Sequence, residues 1–349
     1  MNSNVRKSFI VLLVFISAQT FFLTLFPMRA AIADESKSIR ANYEKVKTLK
    51  EHDKDVNGIA FSPDGKIMAT GSSDKTVVLW DTGAWKAIKT LEGHGNDVRA
   101  VAFSPDGKIL ASGDKDKTVF LWEVGSWKRI NKIKAYNDVN SLAFSPDGKL
   151  LAIASDDKAV ALYDIANDKV SVKLKEHKDD VYAVRFSPDG STLASGGKDN
   201  RVILWDLSKG EPIKIMKNHS NTVETIAFSP DGKILASGAN DNTINLWDAK
   251  TGENINTLEK HSDGVRSLAF SPDGKVLASV EGKVVFGPFG IPIRASKDVG
   301  GCNIIFWNPQ TGKMMDTLAT TCDINYLTFN PGGEFLITAG EAVTIFKRQ

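Results

Sequence analysis

Residues Gly93–Glu123 read GHGNDVRAVAFSPDGKILASGDKDKTVFLWE, and the parts of this stretch return throughout the chain. S-P-D-G-K starts at Ser62, Ser104, Ser145, Ser229 and Ser271, S-P-D-G-S at Ser187, and the degenerate N-P-G-G-E at Asn330. Successive spacings are 42, 41, 42, 42, 42 and 59 residues. A second marker closes each of the first six units: Trp80-Asp81, Trp122-Glu123, Tyr163-Asp164, Trp205-Asp206, Trp247-Asp248 and Trp307-Asn308. The seventh unit ends in Phe346-Lys347. A fixed period of this size marks a repeat architecture.

Within a unit the pattern is that of short strands. Val98–Phe103 alternates, with Ala100 and Ala102 on one face and Val101 and Phe103 on the other. Pro105-Asp106-Gly107 then supplies a tight hairpin turn, since proline presets φ and glycine accepts a positive one. Ile109–Ser112, Thr118–Trp122 and Arg129–Lys134 complete four strands, separated by polar turns. No helical periodicity of useful length follows residue 33. Seven four-stranded antiparallel units predict an all-β chain folded as a seven-bladed β-propeller, in which neighbouring blades cover both faces of each sheet. The stretch Val46–Leu49 has the character of the outermost strands at Ala87–Leu91 and Asn254–Leu258.

These markers resemble the WD-repeat (WD40-type) family of β-propellers over about residues 46–347. Gly93-His94, Ser104–Gly107, Ser112, Asp116 and Trp122-Glu123 fit its pattern closely. The resemblance implies that the ring closes through the N-terminal strand, Val46–Leu49 pairing with Val343–Lys347 so that no open edge is left. It also implies a hydrogen-bonded structural tetrad inside each blade. Residue matching assigns His52, Thr70, Asp74 and Trp80 to unit 1 and His94, Ser112, Asp116 and Trp122 to unit 2. It assigns His177, Ser195, Asp199 and Trp205 to unit 4 and His219, Ser237, Asp241 and Trp247 to unit 5. Unit 6 keeps His261, Ser279 and Trp307 and lacks the Asp. Unit 3 has Tyr136, Ile153, Asp157 and Tyr163, and unit 7 keeps Thr338 alone. Units 3 and 7 are therefore expected to be the less rigid blades.

The first 33 residues differ from the rest. Arg6 and Lys7 precede the uncharged run Ser8–Phe26, and Ala31-Ile32-Ala33 precedes Asp34. This reads as a secretory signal peptide over 1–33, with a linker over 34–45 and the propeller over 46–349. The competing reading keeps Ser8–Phe26 as an uncleaved membrane anchor, since 19 residues nearly span a bilayer core. Either reading places the body in the periplasm or outside the cell, free or anchored facing that side. Whole-chain charge is +2, from 44 Lys and Arg against 42 Asp and Glu. The leader holds three of the cations, so the remaining 316 residues carry −1. Neither value offers the basic surface that nucleic acid requires, and membrane contact is expected only through a retained anchor.

Catalytic signals are sparse. All five histidines fall at the tetrad position, in separate units, whereas catalysis needs convergence on one site. No nucleophile elbow, zinc-protease helix, phosphate loop or dinucleotide fingerprint occurs. No catalytic residue, cofactor or metal is expected. Three features remain. The top rim, where the family commonly binds proteins or peptides, collects Asn57, Arg99, Asn140, Tyr182, Glu224, Arg266 and Asn325. Arg99, Tyr182 and Arg266 are of the types enriched in binding hot spots. Unit 6 carries an insertion with Phe286, Phe289 and Ile291, an apolar segment suited to contact. Cys302 ends the insertion, Cys322 lies in the loop before the first strand of unit 7, and the two are expected to form a disulfide in an exported protein.

The reading is a monomeric, non-enzymatic scaffold that binds an unidentified protein or peptide through its rim and the unit 6 insertion. One alternative is an enzyme or small-ligand binder using the central channel. Another is the sensory or docking domain of a membrane-anchored protein.

Overall fold

The computed structural model describes residues 42–282, 284–286, 292–294, 302–321 and 323–349. The described residues contain strands and turns and no helix. They form seven four-stranded antiparallel sheets, plus a small hairpin, Val284–Phe286 with Pro292–Arg294. Blade 1 shows the plan: Val56–Phe61, Ile67–Ser72, Val77–Asp81 and Lys86–Leu91, paired in that order from the centre outward. The first strand of each blade contacts that of the next, and Ile324–Phe329 of blade 7 returns to Val56–Phe61. The ring is therefore closed.

Closure uses the two ends of the described chain. Tyr43–Leu49 pairs antiparallel with Val343–Arg348, from Tyr43 opposite Arg348 to Leu49 opposite Val343. The expected clasp is present, and it starts three residues earlier, inside the stretch read as linker. Tyr43 explains the extension: its ring stacks on Phe306 of blade 6 at 5.3 Å. The outer strands are edges, and a one-residue bulge interrupts each outermost pairing in blades 1 to 6 and in the clasp. Bulges of this kind twist an edge away from intermolecular pairing.

The core lies between blades. Leu79, Leu91 and Ala69 of blade 1 pack with Val98, Val101, Leu110, Phe120 and Trp122 of blade 2. Small residues let the sheets approach. A Cβ on Gly71 would lie 2.6 Å from the Val98 side chain. On the opposite face, Ser62 Oγ donates to Asp64 Oδ1 at 2.7 Å and accepts the Ile67 N–H at 2.9 Å. A Cβ added to Gly107, whose φ is 70°, would lie 3.5 Å from Pro63 of the preceding blade. Similar spacing recurs around the ring and ends with a Cβ on Gly65 facing Pro331 at 3.7 Å. In blade 7 the amide of Asn330 substitutes for the serine, its Oδ1 accepting the Phe335 N–H at 2.8 Å.

Candidate functional site: the rim and channel mouth

Five histidines sit in five blades with a common geometry. His52 Nδ1–H donates to Asp74 at 2.8 Å, and its Nε2 meets Thr70 Oγ1 at 2.8 Å. Thr70 Oγ1 also accepts the Trp80 indole N–H at 2.9 Å. His177 with Asp199, Ser195 and Trp205, and His219 with Asp241, Ser237 and Trp247, repeat the arrangement. A carboxylate on one ring nitrogen sets the tautomer that the other presents. The consequence is mechanical: the outer tryptophan is tied through the blade to the loop that leads into it.

Blade 2 corrects one expectation. His94 pairs with Asp114 at 2.6 Å, not with Asp116. Asp114 is fully buried at the strand end, whereas Asp116 is exposed and takes part through its backbone, its N–H donating to Asp114 Oδ1 and its carbonyl accepting from the Thr118 hydroxyl. Blade 6 lacks the Asp, and Glu281, which the residue matching did not assign, takes its place. Its carboxylate meets His261 Nδ1 at 3.3 Å and accepts the Ser262 amide N–H at 2.7 Å. Asp114 and Glu281 each stand two residues after the tetrad serine, instead of four. Both positions reach the same ring nitrogen.

Burial opposes charge on these five acids, yet hydrogen bonds outweigh it. The histidine supplies the leading bond at Asp114, Asp199, Asp241 and Glu281, and Thr76 precedes His52 at Asp74. All five carboxyls lie below their ordinary range, Glu281 at about 2. Blade 3 uses a different lock. Lys173 Nζ pairs with Asp157 at 2.5 Å and sits 3.5 Å from the Tyr136 ring centre. The Tyr163 hydroxyl donates to Asp168 and accepts from Asn131 Nδ2 at 2.9 Å.

The seven rim residues converge. Each is the second residue of its blade's inner strand, and each is half-buried. In every blade the pairing of the first two strands skips that residue, as between Val56 and Gly58. A bulge re-aims the unpaired side chain, and here all seven line one axial cavity of about 230 Å³.

Their roles divide. The asparagines join blades: Asn57 Nδ2 donates to the Val98 carbonyl at 3.1 Å, Asn140 to Val181 at 3.0 Å and Asn325 to Val56 at 3.3 Å. Arg99 donates to Asn140 Oδ1, and Glu224 accepts from Asn240 Nδ2 at 2.7 Å. Burial, with Asp180 and Glu224 nearby, pushes the Tyr182 phenol up, so it stays a neutral donor. Below them Arg185 crosses the axis, its Nη2 donating to the Tyr326 hydroxyl of blade 7 at 3.2 Å.

Comparison with known proteins agrees with this geometry. The model described as WD domain, G-beta repeat matches residues 43–81 and 85–123. That of the Echinoderm microtubule-associated protein second beta-propeller matches residues 139–287. The chain belongs to the WD-repeat propellers. Such propellers commonly act as protein-interaction scaffolds. Transducin beta-like protein 3 of Mus musculus is 33% identical over 81 residues, 22% of this WD-repeat chain and 10% of its own length. Its counterpart of the same name in Rattus norvegicus is 32% identical over 81 residues, with the same shares of 22% and 10%. Protein Mut11 of Chlamydomonas reinhardtii is 42% identical over 57 residues, 16% of the chain and 15% of its own length. The matched stretches thus span a small part of each relative.

Other expected positions of this WD-repeat chain fall differently. Phe289, Ile291 and Cys322 lie outside the described residues, and Phe286 is described by its backbone pairing with Pro292. Cys302 opens the third strand of blade 6, is buried, and is disulfide-bonded. Arg185 and Tyr326 were not marked by any repeat motif. The signal available was a departure within the repeat: arginine where five other blades carry alanine, and tyrosine where theirs carry small residues or threonine.

Proposed function

We propose that this WD-repeat chain is an exported, non-enzymatic scaffold that holds a partner protein or peptide on the rim of its channel. One observation carries the reading: seven bulges turn seven side chains of four kinds toward a common cavity. Arg99, Tyr182 and Arg266 combine apolar surface with directional donors, the character of interface anchors. The histidine–acid pairs are spent inside separate blades and share no substrate space. Export rests on the Arg6-Lys7 start, the uncharged run and Ala31-Ile32-Ala33. Among the described residues no helix is long and apolar enough to cross a membrane, and Ser8–Phe26 lies outside them. The insertion with Phe286, Phe289 and Ile291 is proposed as a second contact segment.

The test compares wild type with an Arg99→Ala, Tyr182→Ala, Arg266→Ala triple variant in capture from the extracytoplasmic fraction. Partners held by wild type and lost by the variant support the rim. Equal capture counts against it. N-terminal sequencing starting at Asp34 supports cleavage and export.

A further inference from the structure

We propose that the channel mouth seats a carboxylate presented by an acidic peptide segment, with the Arg185 guanidinium as its floor. This rests on the rim being the partner surface and specifies the chemistry that the surface takes. Arg185 stands at the fifth position of the blade 4 inner strand, reaching inward from the wall. It donates to Ser141 Oγ at 3.0 Å, the Val184 carbonyl at 2.7 Å and the Tyr326 hydroxyl at 3.2 Å. All three acceptors are neutral. A guanidinium held this way keeps its charge, and a half-buried charge is most favourable beside an opposite one.

The neighbouring groups point the same way. Ser141 and Tyr326 accept from Arg185, so each hydroxyl has its own hydrogen left to donate. Arg99 and Arg266 bring two more guanidiniums to the same wall. Glu224 is the one acid among the described lining residues, and it already accepts from Asn240. Further out, Asp97 and Asp180 are paired with Lys115 at 2.8 Å and Lys198 at 3.4 Å. Three guanidiniums thus line the cavity with one carboxylate, and Asp156 behind the wall accepts from Asn140 Nδ2. The cavity volume of about 230 Å³ admits a side chain or chain end and excludes a folded surface. A planar carboxylate matches the fork of a guanidinium.

The experiment uses the exported protein and fluorescence anisotropy. The probe is an end-blocked, labelled peptide, Gly-Ser-Glu-Glu-Ser-Gly. Comparison peptides replace both glutamates with glutamine or lysine, and a fourth is the glutamine peptide with a free C-terminal carboxylate. Inorganic phosphate serves as competitor. The glutamate peptide is expected to bind at least about tenfold more tightly than the glutamine and lysine peptides. Arg185→Met is expected to weaken it by about tenfold or more, and Tyr326→Phe by less. Arg266→Gln, at the mouth and away from the Arg185–Tyr326 bridge, gives a second variant if Arg185→Met melts early. It too should weaken the glutamate peptide.

Binding of the free-ended glutamine peptide would support the carboxylate and assign it to a chain end. Phosphate binding at the same arginines, without discrimination among peptides, would overturn the peptide source. Lysine or glutamine peptides bound as tightly, and lost in rim variants, would overturn the carboxylate while leaving the rim as partner surface. No binding by any peptide would remove both readings.

Discussion

Adjacent positions of the inner strand behave in opposite ways. The first residue is valine in six blades and isoleucine in the seventh, and it is buried in all of them. The second is asparagine three times, arginine twice, tyrosine once and glutamate once, and it is half-buried. One peptide bond separates a position that repeats from a position that varies. The first packs against the neighbouring blade, where a β-branched aliphatic shape fits. The second is set aside by a bulge, so its identity costs the sheet little. The framework repeats what closure demands, and variation collects where a surface is displayed.

The largest expected effect comes from breaking the framework for every blade at once. Deleting Tyr43–Leu49 leaves the Val343–Arg348 edge unpaired and should lower Tm by more than about 10 °C in calorimetry. An unchanged melt would show that the ring stands without its clasp. Next, Asp114→Asn should cost about 2–3 kcal/mol in denaturant unfolding, since it weakens a buried charge-assisted bond. Asp116→Asn, on an exposed side chain, should stay within about 0.5 kcal/mol. Reversed values would restore Asp116 to the tetrad. Val98→Ala should cost about 2 kcal/mol through lost burial and a cavity, against less than about 0.5 kcal/mol for Arg99→Ala. Equal costs would dissolve the contrast between the two positions.

The smallest effect is a slope. The tetrad acids have folded pKa values below their unfolded ones, so the native state holds fewer protons in acid. Their stabilisation is present above the unfolded value, near pH 4, and is lost as pH falls toward about 2, where Glu281 titrates. Wild type should therefore lose stability between pH 5 and 2 more steeply than Glu281→Gln, measured by urea unfolding at each pH. Parallel slopes would remove the acid from the linkage.

The fold was legible because turns and tryptophans repeat as strings, and strings survive translation into strands. The tetrads were legible where acid and hydroxyl residue keep one spacing, as at Asp74 after Thr70, Asp199 after Ser195 and Asp241 after Ser237. Asp114 and Glu281 were not, because counting aligns positions whereas a carboxylate needs only to reach Nδ1. The rim was visible as a column of unlike residues. Its floor was not. Strict alternation over Val181–Phe186 puts Val181, Ala183 and Arg185 on one face. The bulge at Tyr182 breaks that parity, so Val181 is buried while Arg185 extends into the channel. No composition rule announces a bulge that seven blades share.

The clasp has a further consequence under load. Its strands run antiparallel, and Tyr43 meets Arg348 at the outer end, where the Gln349 N–H also donates to the Asn42 carbonyl at 2.7 Å. A pull applied to both ends would meet these hydrogen bonds one at a time, as a zipper does, and would open the ring at low force. A pull between two blade loops would have to shear several bonds together. The same circle that resists heat as a whole has one direction in which it yields by hand.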